Sequence, residues 1–337
     1  MIKSALQIEE LDSCKADNIP QGVLYSSQPI ILRGLVDNWP MVESAKISAV
    51  QAVDYLAKYS THEPLTVYRG EPEIKGRVFY NQDFNGFNFD VLRLPMTQVV
   101  SEILRNVDRA DAPMLYVGST MIDKWLPGFR AENDLVFDQY DPLVSIWLGN
   151  QSRIAAHYDF ASNIACCVAG RRRFTLFPPE QLDNLYVGPL DFTPAGQPIS
   201  LVDFANPDFE RFPKFREALK HAQVVELEPG DALLIPSMWW HHVEALEGFN
   251  VLVNYWWRSS PSFMGAPLNV LQHAIMSLRD LPPEQRAVWQ HLFDYYVFES
   301  KEENFEHIPE QVRGILDTMT EQSANGIRSL LLSRLKR

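Results

Sequence analysis

The fold and the candidate site are both indicated by one stretch of sequence, Ala155-Ala156-His157-Tyr158-Asp159. In an extended strand, each residue advances about 3.3 Å and alternate side chains share a face. We therefore expect His157 and Asp159 to lie side by side, roughly 6.6 Å apart at their α-carbons, where they can bind one ion. A third ligand is available in residues 239–242, where His241 lies in another predicted strand.

Two histidines and one carboxylate that leave coordination positions open form the facial arrangement of non-haem Fe(II) sites. An isolated His-x-Asp pair is more commonly a surface pair or a capping interaction, so the pattern alone leaves both interpretations open. The surrounding strands favour the metal site.

From residue 114 to residue 257, the chain is a series of short β segments separated by turn residues. The predicted strands are residues 114–118, 143–149, 152–159, 163–170, 172–177, 224–227, 232–235, 241–246 and 250–257. Because most of them have no helix between them, they favour an antiparallel sandwich or barrel over βαβ units. The double-stranded β-helix, or jelly roll, is one such mainly β fold.

The regions on either side of these strands have a different pattern. Residues 26–107 mix short strands with two helices, of which the first follows the capping box Ser48-x-x-Gln51. Residues 180–222 are too long for a tight turn and predict a lid or a substrate-facing insert. After residue 262 only helices are predicted. We therefore predict one domain at residues 1–262, with N-terminal α/β additions, and a helical region at 263–337.

The C-terminal helices at residues 268–278, 283–297, 309–319 and 327–335 are unusually apolar. Helices of this kind need a surface to pack against. They can pack on the barrel, or they can pair with a second copy of the chain in a two-fold dimer. The sequence leaves both possibilities open.

Composition limits the classes of partner and the compartment. The 337 residues are 46% apolar and 22% charged, with a formal net charge of −13. This charge disfavours nucleic acid and anionic membrane, because both are polyanions. Residues 1–18 carry several charges without an apolar core segment, and no apolar run reaches about 18 residues. We therefore expect a cytoplasmic protein without a secretory signal that does not bind membranes, with Cys14, Cys166 and Cys167 unpaired.

Strand parity identifies two buried amides. In the last predicted strand, Asn250, Leu252, Asn254 and Trp256 share the face opposite Val251, which points Asn254 into the barrel. An unpaired buried amide costs about 1–3 kcal/mol, so Asn254 needs a partner. Asn163 raises the same question, and both a bound ligand and a structural hydrogen bond can answer it.

Three consecutive arginines lie at the start of the predicted strand at residues 172–177. Alternation sends Arg172 to the side opposite Arg171 and Arg173. A run of charges is usually a solvated face, but an arginine that enters the barrel needs an anion. A dicarboxylate can supply it, because a guanidinium binds a carboxylate through two hydrogen bonds.

Several motifs occur together in an order that resembles the JmjC-type, cupin-8 branch of the Fe(II)- and 2-oxoglutarate-dependent dioxygenases. The motifs are His157-Tyr158-Asp159, Leu176-Phe177-Pro178-Pro179, Pro229-Gly230-Asp231, Ile235-Pro236, Trp239-Trp240-His241-His242 and Asn254-Tyr255-Trp256. Within that family, the chain resembles the asparaginyl hydroxylase that acts on hypoxia-inducible factor. The likeness covers residues 24–258, and the helical tail resembles the family's dimerisation region more loosely.

This resemblance implies a ligand set and a cupin jelly roll with flanking helices. His157, Asp159 and His241 would hold Fe(II), whereas His242 would support the site. The remaining correspondences concern the cosubstrate pocket: Asn163 and Asn254 match amides that line it, and Tyr116 and Arg172 match side chains that contact the far carboxylate of 2-oxoglutarate.

Two positions depart from the asparaginyl hydroxylase pattern. Arg172 replaces a lysine, which keeps the charge but changes the reach and geometry. Ile154 replaces a threonine and removes a hydroxyl contact. Both changes bear on how 2-oxoglutarate binds.

The resemblance implies an oxygenase that uses Fe(II), 2-oxoglutarate and O₂, most simply a hydroxylase of a protein or peptide side chain. Asp159 occupies the position that a halogenase leaves vacant, while N-methyl demethylation begins with the same hydroxylation. A tRNA base or a small molecule is an alternative substrate. The alternative class is a cupin without oxygenase activity, in which the metal serves isomerase-type chemistry or organises a binding module.

Overall fold

The computed structural model describes residues 6–12, 14–136 and 140–335. The strands are β1 (Glu9–Leu11), β2 (Ile30–Leu32), β3 (Pro64–Gly70), β4 (Arg77–Val78), β5 (Asp90–Pro95), β6 (Met114–Met121), β7 (Leu143–Gly149), β8 (Ser152–His157), β9 (Ser162–Ala169), β10 (Arg172–Phe177), β11 (Gln223–Leu227), β12 (Ala232–Ile235), β13 (Trp240–Ala245) and β14 (Asn250–Trp257). The helices are α1 (Gln21–Leu24), α2 (Pro40–Ile47), α3 (Ala49–Ala57), α4 (Met96–Arg105), α5 (Ile122–Trp125), α6 (Phe215–Ala218), α7 (Pro267–Leu278), α8 (Pro283–Phe293), α9 (Glu310–Arg313) and α10 (Glu321–Leu335).

The strands form two sheets. The larger has the order β1-β2-β12-β9-β14-β7-β6-β3-β5, and the smaller has the order β11-β10-β13-β8-β4. Among the described strands, only the β1–β2 and β4–β8 pairs are parallel. The predicted mainly β fold with flanking helices is therefore confirmed.

The space between the sheets is filled by alternate side chains from both of them. Leu252 and Ala165 of the larger sheet belong to the same buried cluster as Phe174 and Leu176 of the smaller sheet. Val251 belongs to the cluster on the other face of the larger sheet. This alternation follows from the two-residue period of a strand, and it confirms the predicted parity of β14.

Helices α2, α3 and α4 cover the outer face of the larger sheet. The predicted capping residue Ser48 accepts a hydrogen bond from the Gln51 N–H at 3.1 Å. In a capping box, the Gln51 side chain would accept a hydrogen bond from the Ser48 N–H. Here the Ser48 N–H donates to the Ser44 carbonyl, because Ser48 also ends α2. Helix α2 was not predicted, although its first residue, Pro40, is a recognised helix-start signal.

The long insert packs mainly on the outside of the smaller sheet. Phe215 and Ala218 of α6 form a buried cluster with Phe177 and Trp240, whose strand neighbours Leu176 and Trp239 face the interior. The prediction of a lid or a substrate-facing insert was therefore wrong for this part, which packs on the outside of the smaller sheet. The insert is apolar because it covers one face of a sheet.

One short part of the insert reaches a different surface. Phe192 stacks on Phe87, with ring centroids 5.0 Å apart, and its carbonyl accepts a hydrogen bond from Tyr80 at 2.6 Å. This part of the insert therefore packs on aromatic residues of the N-terminal region.

The chain divides into two compact units, Met1–Arg258 and Ser259–Arg337. The second unit contains α7 to α10, and the helix predicted at 309–319 is broken in two at Gly314, which has a φ of 60°. The predicted roles of the two regions stay predictions. In the described part of the chain, no helix is long and apolar enough to span a bilayer.

Candidate metal centre

Three side chains, two from adjacent strands and one from the loop after β8, meet at one end of the smaller sheet. One ligand atom from each of His157, Asp159 and His241 can be chosen so that all three lie within 4.8 Å of one another. His157 is the last residue of β8 and pairs directly with His241 on β13. The structure therefore brings together the three residues that the sequence analysis selected.

Asp159 occupies a different backbone position from the one predicted. The sequence placed it within a strand, but β8 ends at His157, and Asp159 lies in the loop that follows. Its carbonyl accepts a hydrogen bond from the Met238 N–H at 2.8 Å, so a turn rather than a strand ladder holds its main chain.

Backbone carbonyls orient both imidazoles. His157 Nδ1 lies 2.9 Å from the Ala155 carbonyl oxygen, and His241 Nδ1 lies 3.0 Å from that of Trp239. A carbonyl only accepts hydrogen bonds, so each Nδ1 carries the proton and each Nε2 keeps its lone pair. This tautomer presents Nε2 as the metal ligand, and His241 Nε2 lies 3.6 Å from Asp159 Oδ2.

The electrostatic surroundings keep His241 neutral. Burial and the neighbouring His157 lower the pKa of His241 to about 4, although Asp159 acts in the opposite direction. A neutral imidazole can donate its lone pair to a metal ion. Two imidazoles and one carboxylate on a single face fit a divalent transition metal of the Fe(II) type.

His242 faces away from this cluster. Its ring packs on Phe204 at 4.7 Å between centroids, and burial together with Arg153 lowers its pKa to about 3. The structure thus places His242 on the insert side of β13, where it packs as a neutral side chain.

Arg172 points into the interior, and it lies on the side opposite Arg171 and Arg173, as strand parity predicted. Only 4% of its surface is exposed. By contrast, Arg171 and Arg173 each lie 2.7 Å from a glutamate oxygen, of Glu247 and Glu226 respectively. Alternation along β10 therefore separates one buried arginine from two arginines in ion pairs.

The buried guanidinium has no carboxylate partner among the described residues. Arg172 Nε is buried without a hydrogen-bond partner. Burial lowers the pKa of Arg172, and its other electrostatic neighbours are Cys167 and Tyr116. Because arginine stays charged in proteins, this position favours an anion.

The register of β10 and β13 relates Arg172 to the triad. Leu176 pairs with His241, whereas Arg172 pairs with Ala245. Four residues of strand span roughly 13 Å, so the α-carbon of Arg172 lies about that far along the sheet from the level of His241.

The two predicted amides are hydrogen-bonded within the barrel. Asn254 Oδ1 accepts from the Trp147 indole at 2.7 Å, and Asn254 Nδ2 donates to Asn163 Oδ1 at 3.4 Å. These bonds supply the structural partners that a buried amide needs, whereas contact of either residue with a ligand stays a prediction.

Tyr116 lies in the same interior but its role stays a prediction. Its ring is 6.1 Å from that of Trp147, and burial raises the pKa of its hydroxyl although Arg172 lowers it. Ile154 is half-buried against the interior cluster, so no hydroxyl is supplied at that position.

Two features of the site were not predicted. Trp256 Nε1 is buried without a hydrogen-bond partner, although parity places Trp256 on the inner face with Asn254. The turn at Ser237 and Met238 contacts the loop that carries Asp159. Parity gave a signal for Trp256, but no sequence pattern predicts a methionine with a φ of 68°.

Comparisons with known proteins agree with this fold. A family model described as a cupin-like domain matches residues 16–263. The tRNA wybutosine-synthesizing protein 5 of Gallus gallus is 25% identical over 315 residues, which cover 84% of this chain and 91% of that protein.

Two further relatives match a shorter segment. HSPB1-associated protein 1 of Homo sapiens is 37% identical over 114 residues, or 33% of this chain and 23% of that protein. The lysine-specific demethylase JMJ31 of Arabidopsis thaliana is 34% identical over 118 residues, or 35% of this chain and 21% of that protein.

Proposed function

This chain belongs to the cupin-like domain family, and from that premise we propose that it is an Fe(II)- and 2-oxoglutarate-dependent oxygenase. One observation carries the proposal: the interior that ends at the triad also contains Arg172, a buried cation without a carboxylate partner among the described residues. A site for a metal alone does not require that cation. A metal-bound diacid accounts for both features.

Different residues of the chain would bind the metal ion and the cosubstrate. His157, Asp159 and His241 would hold the metal on one face and leave the other positions open. Arg172 would bind the far carboxylate of 2-oxoglutarate, as its buried position favours. When bound, Fe(II) with 2-oxoglutarate and O₂ supplies the oxidation of a C–H bond, with succinate and CO₂ as coproducts. The apolar interior would exclude water from this region.

The test is succinate formation from 2-oxoglutarate by protein loaded anaerobically with Fe(II) and then exposed to O₂. We expect succinate formation to depend on both Fe(II) and O₂. Equal function with Zn(II) would contradict the oxygenase and favour the isomerase-type or ligand-binding alternative. Absence of 2-oxoglutarate binding to the metal-loaded protein would also contradict it.

For the substrate, we propose a protein or peptide side chain, which is hydroxylated. The net charge of −13 disfavours a polyanion, although one relative is named for tRNA wybutosine synthesis. Another is named a lysine-specific demethylase. Mass spectrometry of peptides and of tRNA incubated with the enzyme distinguishes these cases. A gain of one oxygen atom on peptide supports hydroxylation, formaldehyde release indicates demethylation, and modification of tRNA alone contradicts the peptide assignment.

The likeness to the asparaginyl hydroxylase remains part of this proposal. It rests on the motifs around the triad and on two motifs of the insert that resemble that enzyme, Val202-Asp203-Phe204 and Glu210-Arg211-Phe212-Pro213. Oxidation of asparagine in a peptide, with alanine at the same position unmodified, would support it.

We also propose that the chain forms a homodimer through its C-terminal helices. Of the described residues 259–335, only Phe305 and Ala324 are buried. Val288 and Phe298 are 61% and 74% exposed, and a helical unit with so few buried side chains needs a further surface. A second copy is present at equal concentration and forms a closed two-fold pair.

A further inference from the structure

The turn at residues 236–239, called here the ligand turn, connects β12 to β13 and contacts the loop that carries Asp159. The Met238 N–H donates to the Asp159 carbonyl at 2.8 Å. The Ser237 hydroxyl donates to the Phe160 carbonyl at 2.7 Å. Two consecutive carbonyls beside the carboxylate ligand are therefore bound by two consecutive residues of the turn.

Asp159 depends on these contacts because the sheet does not hold it. Strand β8 ends at His157, and the residues that follow leave the ladder of β8 and β13. A productive metal site requires its ligands to be held within about 0.5 Å. The His157 imidazole is oriented by a carbonyl of β8, whereas the main chain at Asp159 is oriented by the turn.

The ligand turn is itself held firmly. Trp239 is 4% exposed, and its indole N–H donates to the Ser27 carbonyl at 3.0 Å. The Trp239 carbonyl is also the group that orients His241. The turn therefore connects the carboxylate ligand to one of the histidine ligands through a buried anchor.

Met238 adopts a backbone conformation that supports this interpretation. Its φ of 68° lies in the left-handed region, which side-chain-bearing residues rarely adopt. Such strain persists where the surroundings hold it, and it is concentrated at functional sites. Here the strained residue is the one whose N–H binds the Asp159 carbonyl.

We propose that Ser237 is a positioning residue of the metal centre. Its hydroxyl and the Met238 N–H hold the main chain at Asp159 and Phe160, so that the carboxylate meets the two imidazoles. This role rests on the proposed function, because it assumes that the triad binds a metal ion. Ser237 itself does not touch the metal.

The test compares Co(II) binding by the full chain and by Ser237→Ala. Co(II) absorbs visible light, so one titration of apoprotein reports both the affinity and the coordination. We expect Ser237→Ala to weaken binding about tenfold, the lower end of the loss seen when a supporting partner of a metal ligand is removed. The melting temperature of the apoprotein should stay close to that of the wild type, since the hydroxyl is partly exposed.

Two matched variants separate positioning from a general effect. Ser237→Thr keeps a hydroxyl and should restore Co(II) affinity to within about twofold of the wild type. Ser60→Ala removes another hydroxyl-to-carbonyl bond, from Ser60 to Thr61 at 3.0 Å, and should leave the affinity unchanged.

The outcomes distinguish this role from the proposed function. Wild-type affinity in Ser237→Ala would overturn the positioning role, and so would a Ser237→Thr variant as weak as Ser237→Ala. If Ser237→Ala also destabilises the apoprotein, Ser237→Thr decides between positioning of the metal centre and a general effect on the fold. If the wild type binds no Co(II), the metal centre and the positioning role fall together. Co(II) binding without succinate formation contradicts the oxygenase and leaves the positioning role standing.

Discussion

At the scale of single residues, backbone carbonyls decide which nitrogen each histidine presents. His157 and His241 each donate from Nδ1 to a carbonyl two residues earlier in the chain. His157 and Asp159 were predicted from their spacing on an expected strand, where side chains two apart share a face, and His241 was added from a second predicted strand. Their ring orientation was not predicted, because it depends on the local path of the backbone.

Asp159→Ala should remove metal binding. Saturating Co(II), at about one hundred times its Kd, should stabilise the wild type by about 2.7 kcal/mol and raise its melting temperature. The variant should show no such shift and no succinate formation, since two imidazoles alone do not complete the site. Asp183→Ala, at an exposed carboxylate of the insert, is the control. A normal Co(II) shift in Asp159→Ala would rule out its assignment as a ligand.

Arg172→Met should weaken 2-oxoglutarate binding while stabilising the protein without ligands. Loss of one partner from a buried charged pair costs about 2–5 kcal/mol in binding, whereas replacing an uncompensated buried charge with an apolar side chain can add about 1–4 kcal/mol of folding stability. Anaerobic calorimetry with Mn(II) and 2-oxoglutarate measures the first quantity, and urea unfolding measures the second.

Arg172→Lys is the matched control for that experiment. It keeps the charge but not the two-pronged geometry, so its affinity for 2-oxoglutarate should lie between those of the wild type and Arg172→Met. If Arg172→Met loses stability and binds 2-oxoglutarate normally, the arginine is structural.

At the scale of elements, the cap of α3 shows a local signal that the structure confirms in part. Ser48→Ala should lower the free energy of unfolding by about 1 kcal/mol, because the Gln51 N–H loses its acceptor. Ser48→Asp should retain most of the stability. Ser44→Ala removes a hydroxyl bonded to the Pro40 carbonyl within α2 and should have a smaller effect. Urea unfolding at neutral pH measures all three variants.

The insert is attached to the smaller sheet by a charged contact. Arg153 Nη1 lies 2.9 Å from Asp203 Oδ1, and the Asp203 side chain is 29% exposed. Burial raises the pKa of Asp203, but Arg77 and Arg153 lower it by more, so the pKa lies below its ordinary value. A lowered pKa means that the pair contributes stability above the ordinary pKa of aspartate, and this contribution is lost as the pH falls through the lowered value.

Asp203→Asn should therefore cost about 1–2 kcal/mol at pH 7. The difference from the wild type should shrink below about pH 4, as the wild-type carboxylate becomes protonated. Urea unfolding at several pH values measures it, with Asp208→Asn as a control elsewhere in the insert. A difference independent of pH would contradict the charged contact.

At the scale of the whole molecule, the prediction concerns the proposed dimer of the C-terminal helices. Light scattering after size-exclusion chromatography should give twice the mass of the 38.7 kDa chain. Phe298→Glu places a charge on a 74% exposed apolar side chain and should shift the protein toward the monomer, whereas Glu303→Lys, at a polar position of the same unit, should not. A monomeric wild type at tens of micromolar would contradict the proposal.

The sequence by itself determined most of the strands, the inward direction of Arg172 and Asn254, the choice of His157, Asp159 and His241, and the cap at Ser48. The strands and the direction of their side chains follow from a two-residue period, and the cap is a signal within four residues. The three ligands were chosen from the spacing of His157 and Asp159, the second predicted strand that carries His241, and the resemblance of the surrounding motifs. Helix α2 was missed because its amphipathic pattern is short, although Pro40 marks its start.

Only the tertiary structure decided the features that join distant segments. It set the bond between Asn254 and Asn163, the packing of the insert on the outside of the smaller sheet, and the turn that binds the Asp159 carbonyl. Each depends on which residues meet across some 40 to 90 positions of chain, and no local periodicity specifies that. A carboxylate beyond the end of its strand can be recognised from sequence, but what holds it in place is decided by the fold.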